Sequence, residues 1–149
     1  MAADDDEERP LDPNTGWVRE HLHRYVATDG ENGHEWRGAP TLLLTTRGRR
    51  SGNLRRTPLI YGRSGQDYVV VGSQGGKPRH PGWFHNLRAD PDVTIQVMGD
   101  EMPARARVAE GEERRRLWGL MAGVWPAYDD YQARTTREIP VVVLETDGR

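Results

Sequence analysis

Six short runs of apolar and β-branched residues punctuate the chain, at 41–46, 56–61, 68–73, 93–98, 102–109 and 139–145. Runs of this length with turns between them predict the strands of an antiparallel sheet, closed or half-closed. Ser64-Gly65-Gln66-Asp67 and Gly99-Asp100 read as hairpin connections. Pro58 falls inside the second run, where a missing N–H demands an edge, a bulge or a break in the ladder.

The period differs elsewhere. Trp17, Val18, His21, Leu22, Tyr25 and Val26 recur at four-residue steps and predict an amphipathic helix over Gly16–Ala27. Further helices are expected at 81–89, at 110–124 and, shorter, at 128–135. Residues 29–40 hold three glycines and one proline and read as a loop. The acidic stretch 1–14 has little to bury and reads as a disordered tail. With no repeat and no linker, residues 15–149 make one domain: α+β, mainly β, a barrel of about six antiparallel strands with an N-terminal helix and two or three more.

Composition removes several kinds of chemistry. The chain has 149 residues and no cysteine, so disulfides, thiolate metal sites and cysteine nucleophiles are excluded. No run approaches the roughly 20 apolar residues of a membrane span, and the acidic N-terminus is no signal peptide. A cytoplasmic protein is expected. The histidine spacings suggest no metal site, and no Gly-x-Ser-x-Gly elbow occurs.

Charge is unevenly spread. From Thr41 to Ala89 there are nine Lys/Arg and one acid, 9 − 1 = +8, leaving −10 elsewhere for a net charge of −2. Such a field concentrates anions: a phosphorylated cofactor, a nucleic acid or a membrane surface. Its centre is Thr45-Thr46-Arg47-Gly48-Arg49-Arg50-Ser51-Gly52-Asn53-Leu54-Arg55-Arg56, between two predicted strands. Guanidinium forks and loop amides suit phosphate or carboxylate oxygens; a solvated basic hairpin is the plainer reading. No Walker loop or dinucleotide fingerprint is present.

Two more segments matter. In Val71-Gly72-Ser73-Gln74-Gly75-Gly76-Lys77-Pro78-Arg79-His80-Pro81-Gly82-Trp83-Phe84 a strand enters a small-residue turn and then a helix N-terminus, permitting close approach by a flat ring. Trp83 is expected in the core rather than at a ligand. Trp125, Tyr128 and Tyr131 share one face if helical; that face belongs either to the core or to the wall of an apolar pocket.

Taken together, these segments resemble the deazaflavin-dependent nitroreductase family of actinobacteria. The resemblance runs through Leu44-Thr45-Thr46-Arg47-Gly48-Arg49-Arg50-Ser51-Gly52, Thr57-Pro58-Leu59, Ser73-Gln74-Gly75-Gly76, His80-Pro81-Gly82-Trp83-Phe84-His85-Asn86-Leu87, Ala89-Asp90-Pro91, Tyr128-Asp129-Asp130-Tyr131 and Ile139-Pro140-Val141-Val142. It implies a split β-barrel related to small FMN-binding reductases, and reduced coenzyme F420 as cofactor, supplied by an F420-reducing dehydrogenase. That cofactor is a polyanion, with a phosphodiester and an oligoglutamate tail. By resemblance, Arg49, Arg50 and Ser51 hold the phosphate and Arg55 the phosphate or tail. Pro58 and Leu59 lie against the cofactor, and Gly72, Ser73, Gln74 and Gly75 sit beside the ring.

The implied reaction is hydride transfer to a small-molecule acceptor such as a quinone, nitroaromatic or activated enone. Tyr128, Tyr131 and Ser73 are the expected catalytic side chains, and Trp125, Tyr128 and Tyr131 the acceptor wall. The sequence departs from the pattern at Trp125, where nitroimidazole-reducing members carry tyrosine, at Gln74 for a lysine, and at Gly82 for a bulkier apolar residue. The cradle is kept and the acceptor wall altered. The alternatives are an FMN or FAD reductase on the same barrel and a non-catalytic cofactor- or nucleic-acid-binding barrel. The aromatics are not interleaved with the basic loop, which speaks against nucleic acid. The N-terminal helix either packs on its own barrel, the favoured reading, or lies on the inner face of the membrane to meet a lipid quinone. A monomer or a dimer is expected.

Overall fold

The computed structural model describes residues 16–31 and 33–146, with side chains from Glu20 onward; the tail expected at 1–14 lies outside the described residues. The strands are β1 (Glu35–Trp36), β2 (Ala39–Arg47), β3 (Leu54–Ile60), β4 (Gly62–Ser64), β5 (Asp67–Val71), β6 (Asp92–Val97), β7 (Asp100–Val108) and β8 (Val141–Glu145). The helices are α1 (Gly16–Ala27), α2 (Gly82–Ala89), α3 (Gly111–Val124) and α4 (Ala127–Ala133), with a 3-10 turn at Gln74–Gly76.

All pairings are antiparallel and run β1-β2-β6-β7-β8-β5-β4, with β3 on β2. Strands β3 and β4 are separated only by Tyr61, and they pair with β2 and β5 respectively. One bent strand therefore links the two ends of the curled sheet, leaving six positions around a split barrel. Pro58 sits opposite Leu43 on β3, whose single ladder partner is β2. This is the edge that a proline without an N–H requires.

The alternation of side chains explains two cores. Tyr68, Val70, Val142 and Leu144 point into the barrel with Leu42, Leu44 and Ile95, and α2 adds Phe84 and Leu87 to this interior. The intervening Val69, Val71, Val141 and Val143 point outward and pack under Leu117 and Met121 of α3 and Tyr128 of α4. A period of two in a strand buried on both faces yields runs of valine rather than polar alternation.

Helix α1 packs on β2 through Leu22, Tyr25 and Leu43. The Tyr25 hydroxyl donates to the Thr41 carbonyl (3.1 Å) and accepts from the Met98 amide (2.6 Å). Leu22 and Tyr25 are fully buried, so this face of the helix is taken by the barrel.

Three details differ from the sequence reading. The expected loop at 29–40 contains β1, a two-residue strand folded onto Ala39 and Pro40. A periodicity argument cannot register so short an element. The β6–β7 turn falls on Met98-Gly99, not Gly99-Asp100, because Val97 pairs with Asp100. Met98 there has a φ of 54°, a backbone state its residue type does not advertise. The short helix begins at Ala127 and ends at Ala133 rather than spanning 128–135.

Candidate functional site

The arginine-rich loop follows β2 and returns as β3. Gly48 N–H donates to the Asn53 carbonyl (2.7 Å) and Gly52 N–H to the Gly48 carbonyl (2.9 Å), closing it locally. Ser51 Oγ accepts from the Asn53 amide (3.1 Å). A buried residue of α2, Asn86, ties the loop to the barrel. Its Oδ1 accepts from both the amide (3.1 Å) and the Nη1 (3.2 Å) of Arg49, and its Nδ2 donates to Thr46 Oγ1 (3.2 Å). Asn86 was not among the expected site residues; nothing in its sequence context shows that it reaches a loop nearly forty positions away.

Arg49, Arg50, Ser51 and Arg55 line one cavity of about 500 Å3 with Thr46, Thr57, Trp83 and Asn86. Among the described residues none of these three arginines has a carboxylate partner; the ion pairs lie elsewhere, as at Arg107 with Glu113 and Glu145. The field is visible on His85, whose imidazole is held below its ordinary range by burial first and then by Arg49, Arg88 and Arg50. Guanidinium groups without carboxylate partners on a concave surface suit a multiply charged anion.

The second cavity, about 370 Å3, shares Thr57 and Trp83 with the first. The two are thus halves of one cleft. Its floor is β3 with Pro58 and Leu59, and one wall is Ser73, Gln74 and Gly75. Trp83, expected in the core, does both jobs: it packs against the barrel interior and lines both halves.

The turn 73–76 is unusual in its backbone. Gln74, Gly75 and Gly76 have φ of 46°, 65° and 82°. Gly76 N–H bonds the Ser73 carbonyl and Lys77 N–H the Gln74 carbonyl. The amides of Gln74 and Gly75 have no partner among the described residues. A Cβ on Gly76 would lie 2.8 Å from the Tyr131 carbonyl oxygen, so only glycine lets α4 approach the turn. Gly72 lies beside the wall rather than in it: its N–H bonds the Pro140 carbonyl (2.9 Å), and a Cβ there would meet the Pro140 ring at 2.8 Å.

A second wall, adjoining the turn, is aromatic. Trp125, Tyr128 and Tyr131 all line the cavity. Tyr128 and Tyr131 meet edge to face at 6.1 Å, and Trp125 Nε1 lies 3.5 Å from the Tyr131 hydroxyl. Burial pushes the Tyr128 phenol well above its ordinary range, with a smaller push from Tyr131. Tyr128 therefore keeps its proton and can act as a hydrogen-bond donor. Two further residues complete the mouth. Trp36 of β1 meets Trp125 in a tilted contact, ring centroids 5.2 Å apart, and His21 of α1 lines the cavity while its Nε2 bonds the Gly33 carbonyl (2.6 Å). Both were missed, since Trp36 lay in a presumed loop and His21 in a helix judged by its periodicity.

The arrangement offers an anion receptor contiguous with a slot for a flat ring, beside an aromatic wall with hydroxyl donors. No group of three or more His, Asp or Glu side chains converges on a metal position among the described residues.

Known proteins are similar to this chain in sequence and fold. Residues 17–146 match the model of the F420H2-dependent quinone reductase family. An F420H2-dependent quinone reductase of Mycobacterium tuberculosis is 43% identical over 131 residues, covering 85% of this chain and 88% of that protein. A solved F420-H2 dependent reductase, FDR-A, superposes with a TM-score of 0.67 at 41% identity, over 71% of this chain and 94% of the other. A second solved relative, described as a domain-swapped dimer, gives 0.69 at 38% identity over 89% and 100%. On the strength of this match across nearly all the described residues, the chain belongs to the F420H2-dependent quinone reductase family.

Proposed function

We propose that this protein reduces a quinone with hydride from reduced F420, using the two halves of its cleft for the two ends of the cofactor. The observation that carries the reading is the meeting, at Thr57 and Trp83, of an acid-free arginine pocket and a neutral slot. The residues present fit the cofactor. Its phosphate and glutamate carboxylates need cations without internal partners, supplied by Arg49, Arg50 and Arg55 with Ser51. Its ring needs a slot free of bulky side chains, supplied along Pro58 and Leu59 and beside Ser73, Gln74 and Gly75.

When bound, F420 supplies the hydride from C5 of its ring. The chain's own residues bind, orient and polarise. Gly72 leaves room for the Pro140 ring at the root of the turn and so holds Ser73 at the cleft. The Ser73 hydroxyl, without a protein partner among the described residues, donates to an acceptor oxygen. Tyr128 and Tyr131 donate to the same oxygen as negative charge grows on it. Trp125 and Trp36 bury the flat acceptor and exclude water. The completing proton comes from solvent or a tyrosine, with burial making Tyr128 a poorer acid than free phenol.

Helix α1 gives its Leu22–Tyr25 face to the barrel, which favours an acceptor that reaches the cleft from solution. No helix among the described residues is long and apolar enough to cross a membrane. A cytoplasmic setting, with a separate dehydrogenase regenerating the cofactor, completes the proposal. The test is a titration with F420 and FMN at low salt, followed by turnover with quinones and nitroaromatics. Saturable binding of F420 and quinone-dependent oxidation of its reduced form are expected; binding of FMN alone would refute the assignment.

A further inference from the structure

Arg137 lies between α4 and β8 and takes no part in the roles above. Its guanidinium makes four hydrogen bonds. Nε donates to the Lys77 carbonyl (2.9 Å) and Nη2 to the Ser73 carbonyl (2.7 Å). Nη1 donates to the Gly72 carbonyl (3.1 Å) and to His80 Nδ1 (2.9 Å). Every acceptor belongs to the segment that forms the glycine-bearing wall of the slot or leads from it. None is a carboxylate; the adjacent Glu138 faces Arg114 instead (3.4 Å).

This placement has two physical consequences. First, one guanidinium that does not line the cleft engages the carbonyls of Gly72, Ser73 and Lys77, while Gln74 and Gly75, whose amides have no partner among the described residues, do line it. Gln74 holds a φ of 46°, a conformation that costs a non-glycine residue energy and persists only where its surroundings impose it. Arg137 is the imposing group, since it clamps residues on both sides of Gln74. Second, a cation with no carboxylate partner among the described residues stands behind the turn. Both effects favour a ligand edge rich in carbonyl oxygens.

We propose that Arg137 is the positioning residue of the ring slot: it sets the 73–76 turn so that the Gln74 and Gly75 amides receive the electronegative edge of a flat heterocycle. This rests on the ring occupying that half of the cleft. Arg137 touches no reacting atom and acts through the backbone it holds.

The experiment measures affinity, not turnover. Full F420 and its deazaflavin riboside headgroup, which lacks phosphate and tail, are titrated into wild-type protein, R137K, R137M and the double variant Arg49→Ala with Arg50→Ala. Fluorescence reports binding and thermal melting reports folding. R137M is expected to weaken headgroup and full cofactor by the same factor, about tenfold, the equivalent of one good hydrogen bond. R137K, whose single ammonium reaches fewer of the four acceptors, should lose about threefold. The double arginine variant should weaken the full cofactor and leave the headgroup untouched. Headgroup affinity unchanged in the Arg137 variants would overturn the inference, as would losses that merely track lowered melting temperature. If R137M does not fold, R137K decides alone, and an unchanged headgroup affinity overturns the inference. Wild-type protein that binds neither ligand removes the functional reading and this inference together. Normal binding indifferent to Arg137 removes this inference only.

Discussion

The cations of one half of the cleft all come from one continuous loop, Arg49 to Arg55, whereas the ring half is assembled from β1, β3, the 73–76 turn, and the Trp125 to Tyr131 face. The first half is open, acid-free and held to the barrel chiefly by Asn86. The second is made largely of backbone and aromatic rings whose positions depend on distant parts of the chain. The difference teaches that charge recruits the ligand locally, while geometry for the reaction is a property of the whole fold.

The largest effect should come from the loop. Arg49→Ala with Arg50→Ala removes charged hydrogen bonds worth about 1.5–3 kcal/mol each, so F420 affinity should fall about a hundredfold or more. The salt dependence of binding should flatten and the melting temperature should hold. A variant that melts early instead would mean that the loop, through Arg49 and Asn86, braces the barrel.

Next in size is Gly76→Val. A β-branched residue at a φ of 82°, with its Cβ 2.8 Å from the Tyr131 carbonyl oxygen, should cost about 1–3 kcal/mol. Calorimetry would read this as a lowered melting temperature. The ring half should lose acceptor turnover while phosphate-dependent affinity survives. Tyr131→Phe should be milder still: cofactor affinity unchanged and turnover lowered by about tenfold at most, one hydrogen bond of about 0.5–1.5 kcal/mol. Loss of cofactor affinity there would move Tyr131 out of the acceptor wall.

The smallest effect is on pH dependence. His80 and His85 both titrate below their ordinary range, through burial first, then Arg137 for His80 and Arg49 for His85. The unfolded chain therefore binds protons more readily than the folded one near pH 6.5. Stability from this source is present above about pH 6.5 and lost as pH falls through the folded values. Melting temperature should decline on acidification, His85→Gln should shallow the decline, and bound F420 should shallow it further by neutralising the arginines.

The contrast between the halves also explains what could be read in advance. The barrel was legible because valine runs at 68–73 and 139–145 face two cores at once, and the arginine pocket because its residues are contiguous. Tyr128 and Tyr131 were legible as a face because their spacing is helical; Trp125, extended ahead of α4, joins them through the fold and not through helical spacing. Arg137 and Asn86 were not legible, because each works across many positions of sequence by hydrogen bonds that no local pattern encodes. Trp36 was hidden by a strand of two residues, and Trp83 by the assumption that a tryptophan is either core or ligand contact when its size lets it be both.

The measurement that bears most directly on the account is a crystal structure with F420 bound. The phosphate is expected among Arg49, Arg50 and Ser51, and the ring between Pro58–Leu59 and the Ser73–Gly75 turn, with the aromatic wall beside it. A ring found outside that slot, or a phosphate held away from the arginine loop, would contradict it.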